Sequence, residues 1–439
     1  MGAVLVLIAA SMAVLGSADV ALAQAYDLKS AIDTALRNHP TISVASARAR
    51  AAATRTAAAG AQYRPFVEGR ASLGGTLAGD RDVAFRDDIA TRSFNANPFY
   101  TGAVRLVVPV VREGTVPFLE LPSETAARAG QVGARHAERL ARAETIGNVT
   151  MAYYTMLAVK DHVQASRQVV DLSQSFRDSV QRRFQQQLVP QVDLLSAEAT
   201  LASARSDLGI AEQNLAKAQE LFALALGFDP LAERTRTLDV VRTDATRRPL
   251  AALDDLIRQT SANHPSVLIQ QAKIDEAEAV RRVLQTERIP TLDAVLAGGV
   301  IDDFNLPAEG QSLRALLRLN WRIFDFGALA LKIKEQEEIV NAERQALYHV
   351  RNQLSQTLVS AYRNLEASRL RLSSAEKAVE LAAEEARVAA RREQQGLGPA
   401  SDTLRARVKE ATARRELAQA THALAIEEAA IAMATGAAD

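Results

Sequence analysis

Leu194, Ala197, Leu201, Ala204, Leu208, Ala211, Leu215, Ala218, Phe222 and Ala225 follow one another at alternating steps of three and four residues. That spacing keeps one apolar seam on a helix, and leucine alternating with alanine lets helix axes come close, so the segment is predicted as coiled coil. The seam returns as Leu417, Ala420, Leu424, Ile431 and Ala434, where Glu410 and Glu427 interrupt it and turn part of the face to solvent or a charged partner. Long helices are predicted elsewhere too. The one over residues 123–187 would run for about 65 residues and reach roughly 100 Å at the standard rise.

Other stretches change period from 3.6 to two. Leu313, Ala315, Leu317, Leu319, Trp321 and Ile323 alternate with Arg314, Leu316, Arg318, Asn320 and Arg322, which predicts a strand with one greasy and one charged edge. Val104, Leu106, Val108 and Val110 face away from Arg105 in the same manner, and Val67, Ala71 and Leu73 away from Glu68, Arg70 and Ser72. A weaker strand covers residues 292–300. Leucine alternating with arginine suits a sheet between lipid and a polar lumen. Four strands cannot close a barrel, and an open edge cannot sit in lipid, so further copies of the chain must complete the sheet. Phe99 and Tyr100 would mark its outer end and Trp321, Phe324 and Phe326 its inner end; in the alternative, a soluble sandwich, these are core aromatics.

The chain repeats itself. Asn38-His39-Pro40 recurs as Asn263-His264-Pro265, Pro65 as Pro290 and Gly74 as Gly299. At a shorter offset Arg105-Leu106 pairs with Arg318-Leu319 and Gly114 with Gly327. Beyond these, Ala152-Tyr153 matches Ala361-Tyr362, Leu188 matches Leu397, Pro190 matches Pro399, Asp193 matches Asp402 and Gly227 matches Gly436. The organisation read from this is a signal peptide over 1–23, a first repeat over 24–230 with a hairpin tip near 187–190, a linker over 231–249, and a second repeat over 250–439 with its tip near 396–399. Each repeat is a helix up to the residue before a proline, two strands, and a long helical hairpin. The signal peptide rests on the apolar run from Ala3 to Leu15 and the small-x-small site Ala21-Leu22-Ala23 before Gln24.

Composition narrows the function. Lys plus Arg equals Asp plus Glu at 52 each, so there is no basic field for nucleic acid. The absence of cysteine excludes disulfides, thiolate metal sites and a lipidated cysteine. Aromatics are only 5% of the chain while alanine is abundant, which favours long, closely packed helices over a bulky core. His39 and His264 recur beside proline but have no second ligand at helical spacing and read as structural, not as a metal site. Acid pairs such as Asp254-Asp255, Glu337-Glu338 and Glu384-Glu385 read as solvated helix faces. With no nucleotide loop, nucleophile motif or zinc motif, neither an enzyme nor a cofactor is expected.

In order and spacing these residues resemble the TolC-like outer-membrane efflux protein family, the outer membrane factors, over essentially the whole mature chain. The resemblance is carried by Asp27-Leu28-Lys29-Ser30-Ala31 running to Asn38-His39-Pro40, by Phe324-Asp325-Phe326-Gly327 at the step into a long helix, by Ala361-Tyr362, and by the tip from Gly396 to Leu404. It implies a mainly α fold with a membrane β-barrel: a homotrimer whose four strands per protomer make one twelve-stranded barrel, continued by a coiled-coil tunnel in the periplasm. Partners would be a periplasmic adaptor protein, an inner-membrane pump and outer-membrane lipid. The function implied is passive conduction in a tripartite efflux or type I secretion system. Leu188, Val189, Pro190, Gly396, Leu397 and Gly398 would form the adaptor-docking tips, although the first tip lacks the family's glycine. Asp193, Asp402 and Arg405 would form the periplasmic gate, with helix capping as the alternative role for the two aspartates. Val104, Leu106, Val108, Leu317, Leu319 and Trp321 would face lipid. The competing function is a coiled-coil envelope scaffold without a pore.

Overall fold

The computed structural model describes residues 25–79, 94–116, 119–229, 238–242, 251–303 and 311–436; the expected signal peptide lies outside them. In the first half the order is β1 (Ala25–Tyr26), α1 (Leu28–Asn38), α2 (Pro40–Gly60), β2 (Phe66–Gly79), β3 (Phe94–Val111), α3 (Pro122–Gln185) and α4 (Gln191–Ala225). The second half runs β4 (Asp239–Val240), α5 (Leu253–Asn263), α6 (Pro265–Thr286), β5 (Thr291–Asp303), β6 (Gln311–Asn320), α7 (Ala328–Gln394) and α8 (Ala400–Thr435). No described helix is long and apolar enough to cross a membrane.

The single helix expected before each strand pair is two helices. Proline disfavours the α region in the residue before it, and His39 and His264 accordingly sit at ψ 124° and 134°, each ending the first helix of its pair. The segment expected as a linker also contains structure, since β4 pairs in parallel with β1.

The residues fall into two compact units, and each draws on both halves of the chain. One unit takes the described parts of 1–45, 138–265 and 351–439. Its first core gathers Ala31 and Ala35 of α1, Val149, Tyr153 and Met156 of α3, and Phe222 of α4, with Tyr26 and Val240 from the small sheet. Tyr153 is 1% exposed, and its hydroxyl donates to the carbonyl of Val241. A second core uses the matching elements: Leu256 of α5, Leu358 and Leu365 of α7, and Leu424 and Ile431 of α8. All ten positions of the predicted α4 seam are buried or half-buried.

In both cores the closing joint is a glycine in the left-handed region. Gly227 (φ +83°) lies against His39, and Gly436 (φ +69°) against His264 and Pro265. His264 is 4% exposed; burial pushes its imidazole below the ordinary histidine value, opposed by a bond to the backbone of Met433. The recurring histidines thus pack a helix joint, and no group of three possible metal ligands occurs among the described residues.

The other unit, 46–137 with 266–350, holds a four-stranded antiparallel sheet in the order β2-β3-β5-β6. β5 is the strand that alternation marks poorly, because Gly298 leaves a gap on its apolar side while Val295, Ala297 and Gly299 stand with Asp293 on the other. At Gly299 an added Cβ would lie 2.6 Å from the carbonyl oxygen of Gly102, so the close approach of β3 requires glycine there.

Candidate functional site

The register of the sheet sorts its side chains. Val67 pairs with Leu106, Leu106 with Leu296 and Leu296 with Ala315, so these four share a face. Val104, Val108, Ala294, Leu313, Leu317 and Leu319 belong to the same face by alternation. Among its described side chains it carries no charge. Val104, Leu313, Leu317 and Leu319 are 58%, 78%, 70% and 59% exposed. On the opposite face Glu68 pairs with Arg105, Ala297 with Arg314, and Asp293 with Arg318. All six ionisable strand residues with described side chains, Glu68, Arg70, Arg105, Asp293, Arg314 and Arg318, stand on this second face. Arg105 binds Glu68 at 2.5 Å, and Arg112, just past β3, lies 3.6 Å from Asp293.

An uncharged, strongly exposed face backed by an ionic one is the arrangement of a sheet with hydrocarbon on one side and water on the other. The expected lipid-face residues Val104, Leu106, Val108, Leu317 and Leu319 all occupy the uncharged face. Trp321 lies one residue beyond the end of β6; its indole N–H donates to the carbonyl of Arg288 at 3.2 Å. Past it, Ile323, Phe324 and Phe326 are 77%, 71% and 91% exposed. Phe324 and Phe326 meet edge to face with ring centres 4.6 Å apart. The side chains of Phe99 and Tyr100 lie outside the described residues.

The step from sheet to helix is built alike in both halves. Glu113-Gly114 and Phe326-Gly327 all have positive φ. Glu113 accepts from the N–H of Ser123 at 2.9 Å, in the first turn of α3. Asp325 accepts from the N–H groups of Gly327 and Leu329 at 3.1 and 2.9 Å, satisfying open donors where α7 begins. Capping is thus the role of the aspartate in Phe324-Asp325-Phe326-Gly327.

At the opposite ends of the long helices the two tips share one backbone geometry. Gln187 has φ +56° where Gly396 has φ +72°. The N–H of Leu188 donates to the Arg183 carbonyl at 2.9 Å, and that of Leu397 to the Arg392 carbonyl at 2.8 Å. Each is the long closing bond of a Schellman turn. The first tip therefore keeps the turn without its glycine, with glutamine carrying a left-handed conformation that costs about 1 kcal/mol. Pro190 and Pro399 then start α4 and α8. Leu188 and Leu397 project at 69% and 75% exposure, while Val189 is half-buried. Asp193 and Asp402 are exposed in the first turns of α4 and α8, where negative charge suits the helix dipole. Neither makes a side-chain capping bond at these starts, and Arg405 forms no ion pair with Asp402 among the described residues.

One cluster went unseen in the sequence because its members are far apart in the chain. The Asp161 carboxylate of α3 meets Nε2 of His422 in α8 at 2.8 Å and Arg242, just past β4, at 2.5 Å. His422 is 4% exposed. Burial alone would raise the Asp161 carboxyl, but the His422 bond and the Arg242 charge outweigh it and hold it below the usual carboxylate value. A depressed folded value stabilises above the unfolded one, near pH 4, and the gain vanishes as pH falls through the folded value. Asp161→Asn is therefore expected to destabilise the protein by about 2 kcal/mol near pH 7, with the difference shrinking in acid. Thermal unfolding followed by circular dichroism at several pH values measures this; a penalty that did not shrink at all in acid would mean that Asn disturbs packing instead.

Comparison with known proteins places these features together. Residues 256–437 match the sequence model described as outer membrane efflux protein. Protein CyaE of Bordetella pertussis is 26% identical over 349 residues, which span 78% of this chain and 69% of that protein. Among solved structures, the CmeC outer membrane channel of Campylobacter jejuni is similar with a TM-score of 0.77 at 15% identity, over 93% of this chain and 85% of that one. The outer membrane protein VceC of Vibrio cholerae is similar at 0.73 and 16% identity, over 93% and 96%. At such identities the structural likeness is one of fold.

Proposed function

Since the chain belongs to the outer membrane efflux protein family, by its residues 256–437, we propose that it is one of three identical subunits that together close a twelve-stranded barrel and carry solutes passively outward. It is an outer-membrane efflux or secretion channel and not an enzyme. The observation that carries the finer reading is the sheet: four strands with an uncharged exposed face and an ionic one, open at β2 and β6. An unpaired strand edge is not tolerated in hydrocarbon, and two further copies supply its partners. The long helices support the same assembly. Ile210, Leu221 and Leu224 of α4 are 58%, 51% and 56% exposed, and Leu331, Tyr348 and Leu370 of α7 are 70%, 66% and 74% exposed. Apolar side chains in such number call for a partner surface.

In this reading the helices form the periplasmic tunnel and the repeats arose by duplication of one unit. The tips at 187–190 and 396–399 dock on a periplasmic adaptor, which couples the conduit to an inner-membrane pump that supplies the energy. Their matching Schellman turns support docking at both. Asp193 and Asp402, three copies of each, bring like charges together around the axis at the tip and set the resting aperture. Planar-bilayer conductance of the detergent-purified protein tests pore and gate together. The native protein should give a small conductance that grows severalfold in the Asp193→Ala/Asp402→Ala variant. Equal conductance of the two would return the aspartates to a helix-dipole role, and none from folded protein would favour a scaffold without a pore.

A further inference from the structure

The ionic face of the sheet is unequal in sign. Among strand residues with described side chains it holds four arginines, Arg70, Arg105, Arg314 and Arg318, against two acids, Glu68 and Asp293. Glu68 binds Arg105, and Asp293 lies 3.6 Å from Arg112 and across the ladder from Arg318. Arg70, Arg314 and Arg318 have no ion pair among the described residues, and Arg70 and Arg314 are exposed. Arg314 and Arg318 sit four residues apart on one strand, about 13 Å along its axis, so their guanidinium groups follow one another along the direction of transit.

We propose that this face is an anion-conducting path, lined by guanidinium groups that draw carboxylate- and phosphate-bearing solutes through the barrel. The inference rests on the reading of the sheet as one third of a closed barrel whose ionic face lines the lumen. Counted over the described side chains, three copies would place twelve arginines against six acids in a low-dielectric cylinder, where a fixed charge of one sign concentrates counter-ions. Guanidinium stays protonated at any working pH and offers forked donors that match carboxylate and phosphate oxygens. Arg70 and Arg314, which are exposed and form no ion pair among the described residues, keep these donors available to a passing anion, while Arg318 stands across the ladder from Asp293.

The test is the reversal potential of the purified protein in a planar bilayer under a potassium chloride gradient. It compares wild type with Arg314→Gln/Arg318→Gln and Arg314→Lys/Arg318→Lys. Other segments also contribute charge, so the informative quantity is the change between variants. The chloride-to-potassium permeability ratio is expected to fall about threefold or more in the glutamine variant and to stay near wild type in the lysine variant. A conducting glutamine variant with an unchanged ratio would overturn the proposal and leave the channel standing. Absence of conductance in folded wild-type protein would overturn the channel and the anion path together. Should the double variant fail to assemble, Arg70→Gln on the other edge strand, read against Arg70→Lys, gives the same discrimination.

Discussion

Protein carrying Leu317→Lys will be exported but will not assemble in the outer membrane, whereas the neighbouring Leu316→Lys will assemble. The two leucines are adjacent in β6 and differ only in the face they occupy. Leu317 pairs with Ala294 on the uncharged face and is 70% exposed. Leu316 pairs with Val295 on the ionic face and is 42% exposed. A lysine on the lipid side of a barrel costs about 2–4 kcal/mol near the bilayer midplane, and threefold symmetry triples that to roughly 6–12 kcal/mol per channel. Such a sum is comparable to the whole stability of a typical fold. On the other face the same lysine meets water and costs about 1 kcal/mol in lost packing. Fractionation of cells into periplasm and outer membrane, with each variant detected by antibody, reads the outcome. Equal assembly of both would mean that the uncharged face does not meet lipid.

How much of this could be read from the chain depends on how local each signal is. The α4 seam was legible because ten positions obey one spacing and every one of them packs as that spacing requires. β6 was legible because Leu313, Ala315, Leu317 and Leu319 hold one side while Arg314 and Arg318 mark the other. β5 was not, since Asp293 and the glycines serve cross-strand neighbours: Asp293 answers Arg112, and Gly299 admits the backbone of β3. The split between α1 and α2 was written in Pro40, yet a continuous apolar pattern hides it. Leu188 and Pro190 placed the first tip, but the left-handed backbone at Gln187 was not legible, because a non-glycine in that region carries no mark in sequence. Asp161 and His422 lie 261 residues apart, and nothing in the neighbourhood of either names the other. The units, too, cut across the repeats, since each draws on both halves of the chain.

The repeated glycine invites the second large effect. Gly227→Ala is expected to cost about 3 kcal/mol or more, whereas Gly396→Ala should cost about 1 kcal/mol, although both glycines have similar φ, +83° and +72°. The conformational term is common to the two, so the difference must come from what the new methyl meets. At Gly396 nothing lies within 4 Å, and the side chain enters open space. At Gly227 it would stand 2.7 Å from the Cα of His39 and 3.0 Å from the carbonyl of Asn38. Those are backbone atoms at the end of α1, pinned by Pro40 on one side and by the Ala31–Ala35 core on the other. They cannot yield as a flexible side chain would, so α1 must lift from α4 and open the core around Phe222. At Gly436 the atoms met are Pro265 Cδ at 2.6 Å and the ring of His264 at 2.9 Å, so the second joint should respond more like Gly227 than like Gly396. Unfolding midpoints of the three alanine variants in one detergent decide the matter. Equal losses would mean that left-handed backbone alone accounts for the glycine, while the expected order, 227 and 436 well above 396, would tie Asn-His-Pro and the terminal glycine into a single joint that the chain builds twice.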